Sequence, residues 1–122
     1  MDIEVASRPG EPVAVVALRG ELDLDSCVAL PAVWAGLIER GQARIVVDAC
    51  GLTFVDSTGL AALVEAHRRC CQAGGFLRLA AAKPFLLRTL AVVGLLGRLP
   101  VYATVQAARV DDRRLRLPGA DL

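Results

Sequence analysis

The apolar positions of this chain switch repeatedly between the two-residue rhythm of strands and the three-and-four rhythm of helices. Ile3 to Ser7 and Val13 to Arg19 are short extended runs, split by Arg8-Pro9-Gly10-Glu11-Pro12, and predict an antiparallel hairpin. Gly20-Glu21-Leu22-Asp23-Leu24-Asp25-Ser26 then forms an acidic loop. Ser26 is placed to cap a helix carrying Leu30, Val33, Trp34, Leu37 and Ile38 on one side, which Gly41 would end. Pro31 falls inside that helix, removes a hydrogen-bond donor and predicts a kink or a late start. Ala43 to Asp48 is short, apolar and β-branched, as a central strand covered on both faces would be.

Phe54-Val55-Asp56-Ser57-Thr58-Gly59-Leu60 is a joint where an apolar run meets an acid, two hydroxyls and a glycine. Leu60, Leu63, Val64, His67 and Cys71 follow on one helical face, so a helix is expected to about Ala73, with Gly74-Gly75 at its end. Phe76 to Ala80 reads as the next strand, and Pro84 opens a third helix through about Val93, capped by Gly94. Leu99 to Tyr102 is a last short strand, and Thr104 caps a closing helix over Val105 to Val110. From Asp111 onward the periodicity of a packed element is lost, so the expected organisation is one domain over 1–110 and a mobile tail over 111–122.

Strands alternating with helices imply an α/β domain. The expectation is a mixed, mostly parallel sheet of about five strands with about four helices packed on it, joined by right-handed crossovers. In such sheets partners meet the loops at the carboxyl ends of the strands, and the Asp23 loop and the Asp56-Ser57 joint both follow strands, which places them to share one surface.

Composition narrows the function classes. The chain has 122 residues, 55% of them apolar and only 4% aromatic, which is one domain with a core of Val, Leu, Ala and Ile. Fourteen Lys and Arg against 13 Asp and Glu provide no field to gather nucleic acid, so direct nucleic-acid binding is not expected. The absence of a membrane-length apolar run, and the charges Asp2, Glu4 and Arg8 near the start, predict a cytoplasmic protein without membrane insertion. Cys27, Cys50, Cys70 and Cys71 show no C-x-x-C pairing, and only His67 could join them, so they read as small core or boundary residues rather than a zinc site.

Ser57 is the residue with candidate chemistry, and Asp, Ser and Thr before a helix serve most often as caps; Thr58 in particular can be a second cap. Ser57 as an enzymatic nucleophile would need a base, and the one histidine, His67, lies ten residues along the same expected helix, about 15 Å away. Neither a G-x-S-x-G elbow nor a phosphate-binding G-x-x-x-x-G-K-[ST] loop is present, so no enzymatic activity and no cofactor are expected. Asp48 and Asp56 are two lone carboxylates, too few to argue for Mg²⁺.

Gly20-Glu21-Leu22-Asp23, Asp48 and Leu52-Thr53-Phe54-Val55-Asp56-Ser57-Thr58-Gly59-Leu60 together resemble the STAS domains typified by bacterial anti-sigma factor antagonists. Lys83-Pro84, Gly94-Leu95 and the segment from Val101-Tyr102 to Ala107 extend the resemblance over nearly the whole chain apart from the tail. It implies a STAS-like fold and a regulator of sigma-factor-dependent transcription. Such a protein binds an anti-sigma factor, itself a serine kinase, and releases it when phosphorylated on the first hydroxyl residue after the motif aspartate, here Ser57. Asp23, Asp56, Ser57, Thr58 and Gly59 are then the expected partner-binding residues, and a serine phosphatase acting on phospho-Ser57 is a further expected partner. The alternative is a STAS subunit of a membrane transport assembly, of the lipid-trafficking ATPase type, with no phospho-switch. Pro31, in the helix that flanks the binding region in this family, is the departure that bears on partner choice.

Overall fold

The structure, a computed structural model, describes residues 1–7, 10–94 and 98–117. Five strands form one sheet in the order β1-β2-β3-β4-β5: β1 Asp2–Ala6, β2 Ala14–Leu22, β3 Arg44–Val55, β4 Phe76–Ala80 and β5 Val101–Tyr102. β1 pairs antiparallel with β2, and every later pairing is parallel. The helices are α1 Leu30–Glu39, α2 Ser57–Gln72, α3 Pro84–Val92 and α4 Val105–Val110. Because the strand order never reverses, right-handed crossovers carry α1, α2 and α3 to one face. Leu30, Trp34, Leu37, Leu60, Leu63, Leu86 and Leu90 bury there against Val16, Leu18, Ile45 and Val47. The short α4 covers part of the other face, where Ala107 and Ala108 meet Val13, Val46 and Tyr102.

The predicted mixed, mostly parallel α/β sheet is therefore present, and its central strand is the expected one. Ile45, Val46 and Val47 are consecutive and all fully buried, as a strand sandwiched between layers requires. β3 nevertheless runs seven residues past Asp48, where the sequence predicts its end. The reason is that its pairing with β2 shifts register twice, between Ala17 and Arg19 and between Gly20 and Glu21. Each irregularity breaks the alternation by which a strand is recognised, so Leu52 and Val55 are both buried although three residues apart. Gly20 takes φ +97° there, a conformation that side chains disfavour.

At α1 the expected late start at Pro31 is present, and the expected Ser26 cap is not. The chain first makes a 3₁₀ turn, Ser26–Ala29, and the α-helix starts late, with Pro31 in its first turn, where the missing N–H breaks no ladder bond. Ser26 does not cap it: Ala29 holds the N-cap position with no side-chain bond, and the Ser26 hydroxyl turns back to the acidic loop. Elsewhere the end signals agree. Thr104 accepts from the Ala107 N–H at 3.0 Å, and Gly74 and Gly94 carry positive φ after α2 and α3.

Within the expected tail, residues 111–117 make defined backbone contacts. Arg113–Leu115 forms a second 3₁₀ turn, the Ala103 N–H donates to the Leu115 carbonyl at 2.8 Å, and the Leu117 N–H donates to the Val101 carbonyl at 2.7 Å. The segment lies antiparallel along the edge of β5, and the Tyr102 hydroxyl donates to the Asp111 carboxylate. Extended backbone held by its own N–H and C=O groups, with only Leu117 packed on the core, leaves no periodic signature. Arg8, Pro9, Leu95 and residues 118–122, on which other sequence expectations fall, lie outside the described residues.

Two outcomes follow from this frame. Ala81 is held at φ +57°, so Ala81→Gly is expected to raise stability by about 0.5–1 kcal/mol, read from the urea midpoint. Tyr102→Phe removes the phenol bonded to Asp111 and should cost about 1 kcal/mol, with faster hydrogen exchange at the Leu117 amide. Asp111 is held below its ordinary 3.8, first by that bond, so its contribution is present above the unfolded value and is lost as pH falls through the lowered folded one. The variant's stability should depend less on pH across that acid window.

Candidate functional site

The site is assembled where β2, β3 and α2 meet. Leu22 and Val55 are register partners at the ends of their parallel strands, and the Asp56 N–H donates to the Leu22 carbonyl at 3.1 Å. Asp23 follows Leu22 as Asp56 follows Val55, so the two loops are neighbours at the carboxyl end of the sheet, as their positions in sequence suggest.

Asp56 is the N-cap of α2: extended at φ −96°, its carboxylate accepts from the Gly59 N–H at 2.8 Å. A carboxylate there also faces the positive end of a 16-residue helix. Of the four donors that a helix start leaves unpaired, those of Asp56 and Gly59 are thereby satisfied, and those of Ser57 and Thr58 remain at the helix end. Thr58, half-buried, makes no cap bond among the described residues, so the second-cap reading is not realised. Gly59 is buried against the end of β2: a Cβ on it would come within 2.6 Å of the Leu22 carbonyl oxygen and 2.8 Å of the Leu22 side chain. Ser57 is the exposed member of the motif.

Asp23 is half-buried and tied into its own loop. Its Oδ1 accepts from the Ser26 N–H at 2.9 Å, and its own N–H donates to the Ser26 hydroxyl at 2.9 Å. The Ser26 bonds hold its carboxyl below the usual range. Around these acids the surface is unusually apolar. Leu24 and Val28 are 64% and 74% exposed beside Asp23, and Phe54, two residues before Asp56, is 48% exposed. Ser57 lies at the head of a groove of about 310 Å³ formed with Leu60, Ala61, Val64, Glu65 and Val93. A larger cleft of about 520 Å³, between Val5, Ser7, Arg40 and Gln42, lies at the other end of the sheet and contains none of the residues singled out above.

The remaining candidates are engaged locally. The Asp48 carboxylate accepts from the Cys50 N–H at 3.0 Å, just as Asp56 caps its own helix. His67, half-buried, accepts from the Leu77 N–H at 3.4 Å, and burial lowers its pKa. All four cysteines are free thiols; Cys27 and Cys70 are core residues, Cys50 and Cys71 are exposed, and burial pushes Cys70 up to about 11. Among the described residues no group of three or more His, Cys, Asp or Glu side chains converges to hold a metal ion, and no helix is long and apolar enough to cross a membrane. What the sequence did not reveal is Ser26 as the partner of Asp23, and the apolar residues Leu24, Val28 and Phe54; acid–x–x–Ser spacing is the one signal that pointed to the first.

The chain belongs to the STAS domain family: the family model described as "Mlab, STAS domain" matches residues 6–102. The chain is similar to the anti-sigma F factor antagonist of Paenibacillus polymyxa, 28% identical over 103 residues, covering 84% of this chain and 88% of the relative. It shares its fold with the Bacillus cell fate determinant SpoIIAA solved in the phosphorylated form, with a TM-score of 0.67 at 23% identity over 93% of this chain and 100% of that one. It shares it also with a sulfate transporter family protein from Wolinella succinogenes, with a TM-score of 0.72 at 21% identity over 85% and 87% of the two chains.

Gly59→Ala tests the joint itself. Although Ala is the better helix former by about 1 kcal/mol, the clash with Leu22 should make the variant less stable by about 1–2 kcal/mol. The Asp56 amide should lose hydrogen-exchange protection at the same time.

Proposed function

We propose that this protein is an anti-sigma factor antagonist that binds an anti-sigma factor, itself a serine kinase, while Ser57 is unmodified and releases it once Ser57 is phosphorylated. The observation that carries this reading is the division of roles within one helical turn. Asp56 and Gly59 lock the first turn of α2 to Leu22, while Ser57 between them stands exposed beside an apolar groove. A hydroxyl in that position can be modified without disturbing a buried contact.

Asp23, Asp56, Ser57, Thr58 and Gly59 are the proposed contact residues, with Leu24, Val28 and Phe54 supplying apolar area. A phosphate on Ser57 brings about −1.5 to −2 charges, which the open N–H groups and positive end of α2 tolerate. To a partner the same phosphate is a new anion beside Asp56 and the Asp23 loop, and a like-charge mismatch across an interface costs several kcal/mol. A regulator of this kind acts through binding alone and depends on a serine phosphatase to restore the unmodified state, in the cytoplasm where sigma factors work. The names of the Paenibacillus relative and of the phosphorylated SpoIIAA support this reading. A second reading, a STAS subunit of a membrane transport assembly, has support in the Mlab description and the shared fold of the Wolinella protein.

Co-purification from native lysate with wild type, Ser57→Ala and Ser57→Glu as baits separates the two. An anti-sigma kinase is expected with wild type and Ser57→Ala. Ser57→Glu should bind it at least about 30-fold more weakly, from a mismatch of about 2 kcal/mol. Intact mass should show phosphate on part of the wild type, and thermal unfolding of Ser57→Glu should change by no more than about 0.5 kcal/mol, as for other exposed positions. Recovery of the same transport subunits on all three baits, with no phosphate, would establish the second reading instead.

A further inference from the structure

We propose that Ser26 is a positioning residue for Asp23, holding the acidic loop in the single conformation in which the Asp23 carboxylate is offered to the partner. This rests on the reading above, that the Asp23 loop and the Ser57 joint form one binding surface.

Three bonds converge on Ser26. Its hydroxyl accepts from the Asp23 N–H at 2.9 Å and donates to the Glu21 carbonyl at 2.7 Å, and its N–H donates to Asp23 Oδ1 at 2.9 Å. One hydroxyl thus uses both its proton and a lone pair to close the turn on either side of Leu22, whose carbonyl receives the Asp56 N–H. The Cys27 N–H adds a bond to the Asp23 carbonyl at 2.9 Å. None of this serves α1, which starts at Leu30 with no side-chain cap. The arrangement is reciprocal in the manner of a capping box, yet its product is a fixed acid rather than a longer helix.

Asp23 Oδ1 accepts from the Ser26 N–H inside the turn, so the half-buried carboxylate is held in place where β2 ends. The carboxylate so held is the group the loop presents to a cationic or N–H group of the partner. The same bonds from Ser26 favour the ionised carboxylate, so charge and direction are set together. A loop already ordered loses less entropy when it binds than one that must order on contact.

The test uses Ser26→Ala, Ser26→Thr and Asp23→Ala in the full chain. In the free protein, ¹³C-detected titration of the Asp23 carboxyl should show its pKa rise toward the ordinary value in Ser26→Ala and stay low in Ser26→Thr. Amide relaxation over 21–26 should show new nanosecond motion only in Ser26→Ala. An unchanged Asp23 titration and an equally rigid loop in Ser26→Ala overturn the proposal without any partner. For binding, the probe is the purified anti-sigma factor recovered on the wild-type bait. Ser26→Ala should weaken it about tenfold, mainly through slower capture, and Ser26→Thr should restore it to within about twofold. If Asp23→Ala binds as wild type, the assignment of Asp23 to the interface is wrong. If Asp23→Ala loses binding while Ser26→Ala keeps it, the interface stands and the positioning role fails.

Discussion

The carbonyl of Leu22 is the point on which this structure turns. It ends β2, receives the Asp56 N–H across from the end of β3, and sits so close to Gly59 that no side chain fits between them. Three elements with separate sequence signals are thereby fixed to one another at a single atom. A buried polar group is costly unless paired, and the Asp56 N–H that pairs this carbonyl brings the first turn of α2 against the end of β2. Asp23 and Ser57 each lie one residue beyond the two partners of that bond, and their proximity follows from it.

Within the Asp56-Ser57-Thr58-Gly59 motif, Asp56 and Gly59 have distinct physical tasks. Asp56 must be a short acceptor because it caps the helix, and Gly59 must lack a side chain because of Leu22. Ser57 is exposed and takes part in neither of these contacts. N1 of a helix tolerates many residues, whereas the N-cap does not. A modification placed on the cap itself would compete with folding, and one placed on the next residue need not.

Much of this was legible in the sequence. The bounds of α2, β4 and α4 follow from residues whose chemistry is local: Asp56 and Thr104 as caps, Pro84 at a first turn, Gly74 after a last one. Two features that local patterns did not record involve distant backbone. The second half of β3 is hidden because register shifts against β2 destroy its alternation, and no local pattern records a bulge made with a strand some thirty residues earlier in the chain. The segment 111–117 is held by β5 through main-chain bonds, which carry no side-chain signature. Ser26 illustrates a third kind of miss. Its residue type predicts a cap, and it does pair with an acid three residues away, but Pro31 delays the helix and the hydroxyl closes the preceding loop instead.

The build of the candidate surface is compatible with the proposed switch operating on an intact fold. Its apolar members, Leu24, Val28, Phe54 and Val93, lie on the outside of elements whose buried sides are complete: Leu22, Cys27, Val55, Leu60 and Leu90 face the core from the same stretches. Packing on one side of each element therefore sets position, and exposed side chains on the other side set what can dock. In the proposed switch, charge added at Ser57 would act on the second set, since a helix N-terminus favours an anion. Under that proposal the electrostatic mismatch at the interface would bear on the partner, with little of it diverted into loosening the fold.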